Sequence, residues 1–184
     1  MTNFQIHDKA TAPDAAREPF EKAEEKFGML PNILGIMAEA PPALKGYLSL
    51  SELFDEATLS SEERKIVLLA ASFENGCAYC MAAHTSEAKE VGVDEQAIEA
   101  VRSGIAIDDA RLQALREFTA TVVRDRGHLA EDDVDAFLAA GYTQQNILEV
   151  ILAVAMKTLS NYTNHIADTP LDAPLASFAW QPPV

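Results

Sequence analysis

Two cysteines and a histidine, Cys77, Cys80 and His84, are the residues of this chain whose types and spacing could do chemistry. On an α-helix at about 100° per residue, taking Cys77 as zero puts Cys80 at about −60° and His84 at about −20°, one narrow stripe. Cys80 and His84 stand one turn apart, where helix side chains stack, and a C-x-x-C pair at a helix start can close a disulfide. Free N–H groups of a first helical turn favour a thiolate, and a nearby imidazolium would add to that. By those electrostatics alone the first cysteine would be the nucleophile. The chain holds no other cysteine, and so short a loop gains little from a structural crosslink, so the pair points to redox chemistry. Zinc is the rival: Cys77, Cys80 and His84 make three ligands, with Glu74, His128 or His165 needed as a fourth, and no second C-x-x-C or H-x-x-x-H pair supports it. No metal and no cofactor are expected.

The elements that must position these groups read at helical period throughout, with no alternating run long enough for a strand, so the fold class is all-α with about seven or eight helices. Pro19 and Gly28 frame a charged, mostly solvated helix, and Pro31 opens a short apolar segment to Ala38. Pro41-Pro42 then breaks the chain before a helix from Ala43 to about Glu56. Ser60 with Glu63 is a capping box for a helix that Asn75-Gly76 can end, and the site helix runs from about Cys77 to Val91, stopped by Gly92. Asp94 caps a short helix to Arg102, Asp108 or Asp109 starts another, Glu131 to Ala140 is amphipathic, and Thr143 caps the last helix. That helix carries Val150 to Met156, apolar on every face, and is expected either to cross the core or to be shared with a second subunit.

The 184 residues fit one domain, with an N-terminal arm 1–18 and a Pro-rich tail 168–184 that drapes irregularly over the surface. Fourteen Lys and Arg against 29 Asp and Glu give a net charge of −15, which repels nucleic-acid backbones and anionic lipid surfaces. No apolar run approaches the ~20 residues of a membrane span, and the N-terminus lacks a secretion signal, so a cytoplasmic location is expected.

The stretch NGCAYCMAAHT resembles the active-site segment of the carboxymuconolactone decarboxylase-like superfamily, specifically its AhpD-like (alkylhydroperoxidase D-like) branch, densely over about Leu59 to Val93. The resemblance implies an all-α homo-oligomer, a trimer or multiple of one, or a dimer. It implies reduction of hydrogen or organic peroxides through a cysteine pair, recharged by a dithiol donor of lipoyl or thioredoxin type. It assigns the attacking thiol to Cys80, the resolving thiol to Cys77 and the relay histidine to His84. Decarboxylase-type members usually lack the pair, which leaves a lactone decarboxylase, or a redox-sensing or zinc-stabilised interaction protein, as alternatives.

One family element is missing. The glutamate expected twelve residues before the first cysteine is Lys65 here. Glu74, one turn before Cys77, is the first substitute if the helix runs unbroken through Asn75-Gly76. Glu63 has a capping task already, and Glu149 could be a buried acid of raised pKa. His165 reads as a C-terminal helix complement, with Asn161, Tyr162 or His165 as lesser candidates for the site or a subunit interface. His7 and His128 read as surface residues, and Tyr79 and Met81 as packing.

Overall fold

The computed structural model describes residues 4–183, and every regular element among them is helical. The α-helices are α1 (Arg17–Phe27), α2 (Asn32–Met37), α3 (Pro41–Asp55), α4 (Ser61–Glu74), α5 (Ala78–Glu90), α6 (Glu95–Ser103), α7 (Ala110–Arg124), α8 (Glu131–Ala139) and α9 (Gln144–Ala167), with 3-10 helices at Asp14–Ala16 and Ala173–Phe178. The all-α class holds, and nine α-helices stand among the described residues where seven or eight were expected. The excess comes from short pieces. Helix α2 is too short to be stable alone, and it is held by the burial of every residue from Ile33 to Met37.

Helix α4 occupies the centre. Its residues Ile66 through Ser72 are all buried, and it packs against α5, α6, α7 and α9. The Ser60 capping box is formed: Ser60 Oγ accepts from the Glu63 N–H at 3.1 Å, and Glu63 Oε2 accepts from the Ser60 N–H at 2.8 Å. Asp94, Asp109 and Thr143 cap α6, α7 and α9 as their sequence positions suggest. Pro41 and Pro42 do not break the chain. They form the first turn of α3, where their missing N–H groups would have no intrahelical partner.

Helix α9 is apolar on every face from Val150 to Met156, yet only one side enters the core. Val150, Ala153 and Met156 are buried, whereas Leu148, Ile151, Ala155, Tyr162 and Ile166 are exposed. Among the described residues the N-terminal arm and the tail are more firmly docked than expected. His7 is buried, not a surface residue: its backbone N–H donates to Gly35 O at 3.1 Å and its ring bonds Thr11 O at 3.0 Å and Glu39 Oε2 at 2.7 Å. A side chain at Gly35 would meet His7 O at 2.7 Å, so glycine lets the arm lie against α2. His128 is exposed, as expected.

The Pro-rich tail is anchored at two points. Buried Asp172 accepts from the Asn32 N–H at 3.1 Å and from the Tyr79 hydroxyl. Further on, the Trp180 indole N–H donates to Arg102 O at 2.8 Å, and its ring packs on Phe73. These contacts turn a segment that composition marks as a loose drape into a wall against α5. Among the described residues no helix is long and apolar enough to cross a membrane.

Candidate active site

The site begins at the α4–α5 junction. Gly76 adopts φ 62°, a left-handed conformation that glycine takes without strain, and this ends α4 and redirects the chain. Cys77 follows in extended conformation as the N-cap of α5, its N–H donating to Ser72 O at 2.9 Å. Cys80 then lies in the first turn and His84 one turn on. Both cysteines are free thiols and, with His84, all three are buried.

Helix α9 crosses this stripe with a polar stripe of its own. Lys157, Ser160, Asn161 and Asn164 stand at helical spacing on one face and are all buried. The Asn164 Nδ2 amide donates to Cys80 Sγ at 3.1 Å and lies 3.7 Å from Cys77 Sγ, while Ser160 Oγ is 4.0 Å from Cys80 Sγ. Asn161 Oδ1 accepts from Asn75 Nδ2 at 2.9 Å, tying the junction to α9. Lys157 Nζ donates to His84 Nε2 at 2.6 Å. On the other side of the ring, Nδ1 donates to Glu87 Oε2 at 3.1 Å, and Lys65 Nζ donates to the same oxygen at 2.8 Å. These partners select the neutral tautomer with its proton on Nδ1.

The electrostatics divide the two thiols. Burial opposes ionisation of Cys80, but the Cys77 S–H bonded to it and the Lys157 ammonium outweigh that penalty and hold its pKa well below the usual thiol value. The Cys77 thiol is pushed up by that same bond to Cys80 and by burial. The surroundings therefore favour the thiolate at Cys80 and the thiol at Cys77. Burial and the neighbouring Lys157 charge hold His84 below the usual imidazole value. Glu87 is half-buried, and its attraction and hydrogen bonds to His84 and Lys65 outweigh the cost of burial and hold it well below the carboxylate range.

A cavity of about 560 Å³ opens onto these groups. Cys80, His84, Glu87, Lys157 and Ser160 line its polar end, Phe27, Ile33, Leu34, Tyr47, Phe54 and Met156 its apolar walls, and Asp172, Pro174 and Leu175 of the tail one rim. Cys80 reaches the cavity, whereas Cys77 is not among its lining residues.

Of the residues singled out from sequence, Cys77, Cys80 and His84 are brought together and Glu74 is not. Glu74 pairs with Arg124 at 3.1 Å, because the chain breaks at Gly76 and the site stripe never extends back to α4's last residue. Glu149 is not a raised acid. Thr58, Leu59, Gln145 and Asn146 all donate to it, and despite burial those bonds lower its pKa. Glu63 serves its capping box and pairs with Arg111 at 2.9 Å. Tyr162 and His165 are exposed, Met81 is buried as packing, and Tyr79 packs while its hydroxyl holds the tail.

Sequence reasoning passed over Glu87, Lys157, Ser160 and the role of Asn164. Their signals were the i, i+3 spacing of Glu87 from His84 and the 3-4-7 spacing of four polar residues at the end of an apolar helix. Both ring nitrogens of His84 are occupied and two ammonium groups flank the site. Among the described residues no group of three His, Cys, Asp or Glu is arranged to hold a metal ion.

Residues 41–121 match the carboxymuconolactone decarboxylase family. The uncharacterized protein YdfG of Bacillus subtilis (strain 168) is 30% identical over 59 residues, 32% of this chain, and the match spans only 40% of that relative's length. Nearly the whole chain superposes on solved structures. A peroxidase-related protein with an alkylhydroperoxidase AhpD core from Ralstonia eutropha JMP134 gives a TM-score of 0.81 at 20% identity, covering 94% of this chain and 93% of that one. A peroxidase-related protein from Silicibacter sp. TM1040 gives 0.79 at 24% identity, covering 95% and 92%. The C82A variant of the debrominase Bmp8 in complex with 2,3,4-tribromopyrrole gives 0.82 at 19% identity, covering 97% and 96%. The fold of the chain is therefore the AhpD-like helical fold, and its central segment is the part that matches the carboxymuconolactone decarboxylase family.

Proposed function

We propose that this protein is a thiol-dependent peroxidase that reduces peroxides, with Cys80 as nucleophile and Cys77 as resolving thiol. One observation carries the reading: of the two thiols, only Cys80 meets the cavity, and the Cys77 S–H and the Lys157 charge favour its ionisation there. Cys80 Sγ attacks the outer peroxide oxygen, the O–O bond breaks, and the inner oxygen leaves as an alcohol once protonated. The sulfur is then a sulfenic acid, and Cys77 condenses with it to form the disulfide and release water. An external dithiol returns two electrons and restores the pair. The peroxidase-related names of two relatives in fold agree with this reading. It also suits a cytoplasmic protein, whose pair would be kept reduced. A lactone decarboxylase would leave the split thiol pair without a task.

Thiol titration before and after one equivalent of cumene hydroperoxide tests the reading. The wild type should lose both thiols together, Cys80→Ser should lose none, and Cys77→Ser should consume about one equivalent and stop at sulfenic acid. Peroxide consumption by Cys80→Ser would overturn the assignment.

The cavity is larger than hydrogen peroxide needs, and its aromatic and aliphatic walls can take a ring, which supports a second reading, a reductive dehalogenation like that named for the debrominase of the same fold. There the Cys80 thiolate would take a bromine from a bromoarene, the ring carbon would gain a proton, and Cys77 would displace bromide to give the same disulfide. Bromide release from a bromopyrrole, with no peroxide consumed, would favour it.

A further inference from the structure

Lys157 is the one cation on the buried face of α9, and it sits where the pair's chemistry changes charge. Lys157 is 1% exposed, its ammonium donates to His84 Nε2 at 2.6 Å and faces the same cavity end as Cys80, whose thiolate its charge favours, and among the described residues no carboxylate is bonded to it. The nearest carboxylate in the network, Glu87, lies beyond the imidazole and is held by Lys65. In the reduced protein the anion that balances Lys157 is therefore the Cys80 thiolate. When the pair becomes a disulfide that anion disappears, and a buried ammonium without an anion is costly.

We propose that Lys157 is the proton carrier of the thiol pair: it holds Cys80 as thiolate in the reduced protein, gives a proton to the leaving oxygen as the pair oxidises, and regains one from the incoming dithiol. The proposal rests on the peroxidase reading and deepens it. In oxidation, ROOH, the Cys80 thiolate, the Cys77 thiol and the Lys157 ammonium yield ROH, water, the disulfide and a neutral Lys157 amine. Atoms and charge balance with no proton drawn from the medium. In reduction a dithiol gives two electrons and two protons; one proton returns to Cys77 and the other to Lys157, while the dithiol becomes a disulfide. His84 fixes the amine by accepting from it, and Glu87 fixes the tautomer that leaves Nε2 free to accept.

Titratable groups face this cavity from several elements. Helix α5 supplies Tyr79, Cys80, His84, Glu87 and Glu90, with Cys77 at its cap; α4 supplies Lys65; α3 supplies Asp55, paired with Lys26 of α1, and the Tyr47 hydroxyl, which burial and the Cys80 charge keep protonated; the tail supplies Asp172, bonded to the Tyr79 hydroxyl. Helix α2 has no titratable side chain, and on α7 Arg111 and Arg124 are engaged by Glu63 and Glu74.

The test is proton counting during a single oxidation in weakly buffered solution with an indicator dye. The wild type at pH 7 should take up no proton per disulfide formed. Lys157→Arg keeps the charge but not a transferable proton, so it should keep Cys80 alkylation at low pH, oxidise at least about tenfold more slowly and take up one proton from the medium. Lys157→Met, of similar volume, should raise the pH at which Cys80 becomes alkylated by about one unit or more. Uptake of one proton by the wild type, or an arginine variant as fast as the wild type, overturns the proposal. Diamide, which oxidises dithiols without peroxide, is run in parallel. The same proton counts with diamide then judge Lys157 even if the peroxide reading fails.

Discussion

At position 65, where the family resemblance implies a glutamate, a lysine stands, and the carboxylate beside His84 is Glu87 of the neighbouring helix, bonded to Lys65. The Lys65–Glu87 pair carries a pH signature. Because Glu87's carboxyl is held below its unfolded value of about 4.3, the unfolded chain takes up the proton first as pH falls. Its stabilisation is complete above about pH 5 and is lost progressively as pH drops below the unfolded value. Glu87→Gln should therefore be less stable than the wild type at pH 7, by about 1–2 kcal/mol in urea melts, with the gap closing toward pH 3. A gap constant over that range would mean that Glu87 titrates alike in both states. At this scale the sequence made the thiols and His84 legible, because their types are rare and their spacing helical. It hid Glu87 and Lys157, since a carboxylate in a charged run and a lysine after an apolar run look solvated until the packing of α9 on α5 decides otherwise.

Local rules read the elements well where a side chain satisfies a backbone group nearby, as at Ser60, Asp94 and Thr143, and poorly where a distant partner decides the outcome. The tail is the clearest case: Asp172 and Trp180 find Asn32, Tyr79 and Arg102, far away in sequence. Glu149 shows the same thing from the opposite direction. It staples the start of α9 to the loop before α4 by accepting from Thr58 at 2.8 Å and Asn146 at 2.9 Å. Glu149→Gln should lower stability by about 1–3 kcal/mol and leave the pH dependence of thiol oxidation unchanged, as urea melts and a pH-rate series would show. A shifted rate profile would bring Glu149 back into the chemistry. Gly104 is the stricter test of an element end. It has φ 73°, and an added Cβ would meet Phe73 Cζ at 2.8 Å, so Gly104→Ala should cost about 1–2 kcal/mol of stability while sparing the thiols.

For the whole molecule, the charge distribution bears on assembly. The chain carries a net charge of −15, so two copies repel over most of their surfaces. Along α9, however, Leu148, Ile151, Leu152, Ala155, Leu159, Tyr162 and Ile166 form one outward stripe with no formal charge on it, about 27 Å long at the helical rise. Phe4 extends it by lying against Ala155, Leu159, Tyr162 and Ile166. The two charged residues within this part of α9, Glu149 and Lys157, both point inward. A surface that excludes charge on so acidic a molecule suits a second copy of itself, because the stripe can pair with its own equivalent across a two-fold axis and bury apolar side chains on both sides. We therefore expect light scattering at micromolar concentration to report a mass above that of one chain. Ile151→Glu with Ile166→Glu would set four carboxylates into that contact and should yield a monomer with unchanged helical circular dichroism. The inward face of α9 carries Lys157 and Asn164, so the monomer should also keep its Cys80 alkylation profile if the stripe serves assembly alone. A wild-type monomer under these conditions would sink the idea.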